Sequence, residues 1–228
     1  MIYWSRTVIR LIIAMLTGIS ADMLRQVERG IAILKDGGLV AFPTDTVYGL
    51  GACADLAPAV ERVYTVKKRP RDMPLPLLLA STAQISEVSY PVPQMAWLLA
   101  EYLLPGALTL VLPRSGLVAD TVTGGAFTVA VRVPAHPVPV ALIEGVGVPI
   151  IGTSANLSGR PSPLTAKEVC AQLGDIVDLV IDGGCCPGGQ ESTIVDVTGE
   201  VPLVLREGAI PVAELRRVCG RILVKERG

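Results

Sequence analysis

Apolar residues recur along the chain in two rhythms. In DMLRQVERGIAILKD, residues 22–36, Leu24, Val27, Ile31 and Leu34 fall on one helical face, and Gly37-Gly38 supply a stop. GLVAF then reads as a buried strand. Residues 58–67 return to helical spacing, run into Lys67, Lys68 and Arg69, and are halted by Pro70. PLPLLLA predicts a short strand, and QMAWLLAEYL a helix ended by Pro105-Gly106. LTLVLP and TVAVRVP predict strands, the second with Arg132 inside its apolar run. Val138–Glu144 predicts a short helix and VPIIG a strand that enters TSANLSGRPSP. Thr165 and Glu168 have the spacing of a capping box. DLVIDGG, STIVDV and PLVLREG read as late strands, and Ala213–Cys219 as a terminal helix.

Helices and strands alternate without a repeat or a low-complexity linker. Several strand pairs are joined too closely for a helical crossover. The pattern therefore predicts one α/β domain over residues 21–220, with a mixed parallel and antiparallel sheet flanked by helices. Residues 1–20 read as a tail with a first strand within 7–17; the alternative is an upstream-extended gene start, with the true start at Met15. Their apolar run is too short to span a bilayer, so no membrane association and a cytoplasmic location are expected.

Composition narrows the chemistry. Half of the 228 residues are hydrophobic, 4% are aromatic, and the formal net charge is −1. Contact with phosphate or nucleic acid then needs a local basic patch. His136 is the single histidine, set in PAHP, which leaves a His-based metal cluster or triad little to work with. The five cysteines form no CxxC and read as scattered thiols. There is no GxxxxGK[ST], no dinucleotide fingerprint and no HExxH.

Three segments could carry chemistry. VKKRPRD holds Lys67, Lys68, Arg69 and Arg71. It reads either as a solvated helix end or as an oxyanion clamp. TSANLSGRPSP follows a strand and gathers hydroxyls and an amide, either as a ligand loop or as an ordinary polar loop. Arg132 needs an anionic partner, either a structural acid or a substrate carboxylate; Arg206 in VLREG poses the same question. FPTDTVYGLG looks like a phosphate turn that lacks its cation. Such a set of cations, hydroxyls and one amide suits an anionic small molecule or a polyphosphate.

FPTDTVYGLG, Lys67-x-Arg69, PGALTLVL, TVAVRVPAHP, Ser154-x-Asn156, ESTIVDV and VLREGAI occur in the order seen in YrdC-like proteins, a family that includes threonylcarbamoyl-AMP synthases. The resemblance spans about residues 22–212 and is to the short, single-domain form. It implies a YrdC-like domain with a concave basic cleft. It also implies a nucleotidyltransferase that makes threonylcarbamoyl-AMP and pyrophosphate from ATP, L-threonine and bicarbonate, with Mg²⁺ accompanying the ATP. A downstream transferase would pass the threonylcarbamoyl group to tRNA. By resemblance Lys67, Arg69, Ser154 and Asn156 form a catalytic tetrad around the nucleotide, joined by Thr128, Ser162 and Arg206 as ATP contacts. Thr46, Arg132, Gly152 and Ser192 match positions that contact L-threonine, with Gly49 and Gly51 allowing close backbone approach. Met73 and Leu78 depart from the residues found in other members. The alternatives are a protein of the same fold that binds tRNA or double-stranded RNA, and a paralogue without this activity.

Overall fold

The computed structural model describes residues 20–225; the strand expected within 7–17 lies outside them. In chain order the elements are α1 (Ala21–Lys35), β1 (Val40–Phe42), β2 (Gly49–Cys53), α2 (Ala57–Lys67), β3 (Leu77–Leu78), α3 (Ile85–Val88), α4 (Gln94–Leu103), β4 (Leu108–Pro113), α5 (Asp120–Thr123), β5 (Thr128–Arg132), α6 (Pro137–Val146), β6 (Ile150–Ser154), α7 (Ala166–Leu173), β7 (Leu179–Val180), β8 (Thr193–Asp196), β9 (Leu203–Arg206), α8 (Val212–Cys219) and β10 (Leu223–Val224). The strands form one sheet in the order β10-β9-β8-β4-β5-β3-β6-β2-β1-β7. Its pairings are mixed: β3 runs parallel to β5 and antiparallel to β6, while β4 runs antiparallel to β5 and parallel to β8.

The two-residue period of the strands sorts side chains onto two faces. On one face Leu108, Leu110, Leu112, Val129, Val131 and Val195 join the larger core with residues of α2, α4, α7 and α8. The other face is divided. Over β1 and the start of β6, Val40, Phe42 and Ile150 pack with Val27 and Leu34 of α1 and Val138 and Leu142 of α6. Over β4, β5, β8 and β9 that same face is a cleft, lined by Thr109, Val111, Thr128, Ala130, Ile194 and Leu205.

Local signals explain the element ends. Ser20 caps α1 through a bond from Met23 N, and Gly37 follows its end at φ 80°. His136 caps α6: its Nδ1 accepts from Val138 N at 3.2 Å, and burial holds the imidazole below its usual pKa, in the neutral form that can accept. Thr165 accepts from Glu168 N as a capping box requires, but the Glu168 carboxylate returns to Leu164 N.

The glycine-rich stretch differs from its expected form. GLGAC is a fully buried strand rather than an open turn. A Cβ on Gly49 would lie 2.9 Å, and one on Gly51 2.6 Å, from ring carbons of Phe42. These glycines make room for Phe42 in the core, not for a ligand. Gly51→Ala is expected to cost about 1–3 kcal/mol in denaturant unfolding, and Phe42→Leu should recover part of it.

Candidate active site

The open part of the sheet holds a cleft of about 620 Å³, within the usual range for a small-molecule site. Thr46, Lys67, Arg69, Thr128, Arg132, Gly152, Ser154, Asn156, Ser192 and Arg206 all line it. Ser162, the remaining residue singled out from sequence, is not among the lining residues and reaches the cleft through Glu191, donating from Oγ to Oε1 at 2.6 Å.

The cationic corner comes from the end of α2. Lys68 adopts a left-handed conformation at φ 52°, and Arg69 N returns to Tyr64 O. The reversal leaves Lys67 pointing inward from the last helical turn and Arg69 across the cleft mouth. Lys67 is 1% exposed. Its Nζ donates to Ser154 O at 2.5 Å, Asn156 O at 2.7 Å and Asn156 Oδ1 at 3.0 Å. Ser154 Oγ donates to the same Oδ1 at 2.6 Å, and Asn156 Nδ2 to Arg160 O at 2.5 Å. The lysine thus organises the loop with all three of its donors. Arg69 donates from Nε to Met73 O and from Nη2 to Pro74 O, which holds the 73–74 backbone at the rim. Met73 contributes that carbonyl whatever its side chain.

Burial, then the neighbouring Arg69, bring the Lys67 ammonium down to about 7, against the opposite pull of Glu191. An entering anion favours the charged form. Binding of inorganic pyrophosphate is therefore expected to take up a proton above about pH 7, with affinity falling by at most about tenfold per pH unit beyond it. Below that pH the lysine is charged in both states and the uptake disappears. Calorimetry in buffers of different ionisation enthalpy measures that proton, with Lys67→Met as the reference in which only the ionisation of pyrophosphate itself contributes near that pH.

At the other end, Arg132 donates from Nε to Gly106 O at 2.9 Å, from Nη1 to Thr46 Oγ1 at 2.8 Å and from Nη2 to Asp45 Oδ1 at 2.7 Å. Asp45 also accepts from Ala135 N. Tyr48 donates to Gly184 O and accepts from Gly183 N, and burial pushes its hydroxyl up to about 12. Thr44 Oγ1 donates to Val47 O and accepts from Thr46 N. Asp45, Tyr48 and Thr44 therefore brace the turn, and Thr46 faces the cleft. Ser192 Oγ lies 2.7 Å from Thr109 Oγ1. Gly152 sits beneath Leu78: a Cβ there would be 2.2 Å from Leu78 Cγ. Leu78 is the packing partner of this glycine.

Sequence reasoning missed Glu191. It pairs with Arg206 Nη1 and accepts from Ser162, and Arg206 also donates to Ser192 O. Burial opposes ionisation of Glu191, yet Ser162, Arg206, Ser154 and Lys67 together hold its carboxyl below the usual range. Among the described residues no group of three or more His, Cys, Asp or Glu side chains could hold a metal ion, and no helix is long and apolar enough to cross a membrane.

Residues 32–208 match the Sua5_yciO_yrdC family model, described as telomere recombination. The threonylcarbamoyl-AMP synthase of Pyrococcus abyssi is 45% identical over 191 residues, which make up 84% of this chain and 56% of that protein. The enzyme of the same name from Bacillus subtilis is 42% identical over 200 residues, 87% of this chain and 58% of that protein. The crystal structure of P. abyssi Sua5 complexed with L-threonine superposes with a TM-score of 0.85 at 43% identity, covering 87% of this chain and 58% of that chain. The chain spans a little more than half the length of these relatives.

Proposed function

The chain belongs to the Sua5/yciO/yrdC family, and from that membership we propose that it is an L-threonylcarbamoyladenylate synthase. The observation that carries this is one cleft with two chemically distinct ends. Lys67, Arg69, Ser154, Asn156, Thr128 and Arg206 supply cations and neutral donors; Thr46, Arg132, Gly152 and Ser192 supply an arginine, hydroxyls and a glycine backbone.

L-Threonine occupies the second end. Three of the five Arg132 N–H donors are engaged, and one on each terminal nitrogen is left for a carboxylate. A charge-assisted contact of this kind is worth about 1.5–3 kcal/mol. The threonine amine condenses with bicarbonate, forming the N–C bond with loss of water, to give N-carboxythreonine. A carboxylate oxygen of that species attacks the α-phosphorus of ATP in line, the bond to the bridging oxygen breaks, and pyrophosphate leaves with the electron pair. Such a step asks mainly for positioning and neutralisation of charge, and the cleft offers both without a histidine. Arg69 retains N–H donors beyond those given to Met73 and Pro74. Ser162 joins the nucleotide end through the position it shares with Arg206. Mg²⁺ enters with ATP as part of the substrate; the Asp196 carboxylate in the cleft fits a metal that keeps phosphates and water as its other ligands. A downstream transferase consumes the product to modify tRNA. The catalytic unit spans residues 21–220.

Pyrophosphate release tests the proposal. It is expected only when ATP, L-threonine and bicarbonate are present together. Release at background with all three would remove the synthase reading and leave those of an RNA-binding protein of this fold and of a paralogue without this activity.

A further inference from the structure

The cleft-lining acids among the described residues are Glu191 and Asp196. Asp196 turns its Oδ1 to the backbone and hydroxyl of Thr198. Glu191 turns inward. Its Oε1 takes the Ser162 hydroxyl, its Oε2 pairs with Arg206, and Lys67, Arg69 and Arg206 all lie within its field. A carboxylate there occupies donors that a phosphate oxygen would also use.

We propose that Glu191 is the internal counter-anion of the cleft: its carboxylate fills the anion position between Ser162 and Arg206 in the ligand-free protein and leaves it when a polyphosphate arrives. The inference rests on reading this end of the cleft as the polyphosphate site. Three observations support it. The Ser162 hydroxyl and the Arg206 guanidinium donate to the Glu191 carboxylate, and both are donors that suit a phosphate oxygen equally well. Lys67, Arg69 and Arg206 would otherwise face one another without the Glu191 carboxylate: Arg69 adds to burial in holding the Lys67 ammonium down, Arg206 adds to burial at Arg69, and Glu191 opposes both. Lastly, the Glu191 backbone is pinned: its carbonyl accepts from Ala209 N, and a Cβ on the neighbouring Gly208 would lie 2.2 Å from that carbonyl oxygen. The exchange is therefore a side-chain rotation, with β8 and β9 unmoved. Glu191 is a positioning residue in this scheme. It keeps Arg206 and Ser162 in place for the incoming phosphates and reclaims them as pyrophosphate departs.

Glu191→Gln keeps the shape and a hydrogen-bonding partner for Ser162 while removing the charge. Calorimetric titration with inorganic pyrophosphate, in the absence of divalent metal, is expected to show binding about tenfold or more tighter in E191Q than in the wild type, the scale of one charge-assisted contact no longer contested. Asp196→Asn is the comparison, because it removes one charge from the same cleft without touching Arg206 or Ser162; its gain should be much smaller. Equal gains in the two variants would reduce the effect to bulk charge and overturn the proposal. So would unchanged or weaker binding in E191Q. Should E191Q unfold, Glu191→Ala is measured the same way with the same expected gain. None of these titrations requires turnover, so they stand apart from the pyrophosphate-release test of the synthase itself.

Discussion

Lys67→Met is expected to reduce pyrophosphate release by at least about 10²–10³-fold, the range seen when a preorganised electrostatic group is lost from an active site. The effect on stability should be smaller. Two terms oppose each other. Methionine removes the desolvation cost of a buried ammonium, several kcal/mol in itself. It also leaves Ser154 O and Asn156 O without the lysine donor, at about 1–3 kcal/mol for each oxygen that stays buried, while Asn156 Oδ1 keeps the Ser154 hydroxyl. The two terms largely offset each other, so the protein is expected to stay folded with a net loss of no more than about 2 kcal/mol, while the loop that presents Ser154 and Asn156 loses its anchoring lysine. Steady-state kinetics beside urea unfolding separates the two. Near-normal release in a folded K67M protein would remove the lysine from the mechanism.

Asp45→Ala should act the other way round, mainly on stability. Arg132 and Asp45 have side chains 10% and 15% exposed, and removing one partner of a buried pair costs about 3–5 kcal/mol. Arg132 would keep its bonds to Gly106 O and Thr46 Oγ1 but lose its fixed orientation. The Michaelis constant for L-threonine is therefore expected to rise more than that for ATP. The exposed pair Arg25–Asp22 offers the contrast, since its loss should cost no more than about 1 kcal/mol. Denaturant unfolding of both variants checks the ranking, and a cost for Asp45→Ala within that of the exposed pair would contradict it.

Much of this architecture is legible in the sequence. The apolar spacing of residues 22–36 finds the first helix, and Thr165 with Glu168 locates the start of another. In LTLVLP and TVAVRVP only Thr109, Thr128 and Arg132 mark the cleft side in the sequence, since Val111 and Ala130 line it as apolar residues. What stays hidden has physical causes. GLGAC lacks the branched residues that signal a strand, because two of its positions give their volume to Phe42. DLVIDGG shrinks to a two-residue strand, Leu179–Val180, at the sheet edge. A lysine that braces its own loop and one that faces a phosphate look alike in sequence; only geometry shows that Lys67 spends its donors on Ser154 and Asn156. Glu191 carries no distinguishing signal in the sequence, where an acid next to a strand ordinarily reads as a solvated charge. Its inward turn depends on Ser162 and Arg206, both distant in the chain.

The strand order also governs how the chain comes to be folded. The hairpin of β1 and β2 is made early, yet its neighbours on either side are β7 and β6. During synthesis both of its edges wait, unpaired, until Leu179 and Ser154 have left the ribosome. Non-local pairing of this kind slows folding and leaves strand edges open to wrong partners meanwhile. Pulse-labelling hydrogen exchange during refolding is accordingly expected to show Val40–Phe42 and Gly49–Cys53 gaining protection together with Ile150–Ser154, and not ahead of it. Thr46, in the connection of that hairpin, and the Ser154–Asn156 loop that follows β6 then come into place together in a single late event.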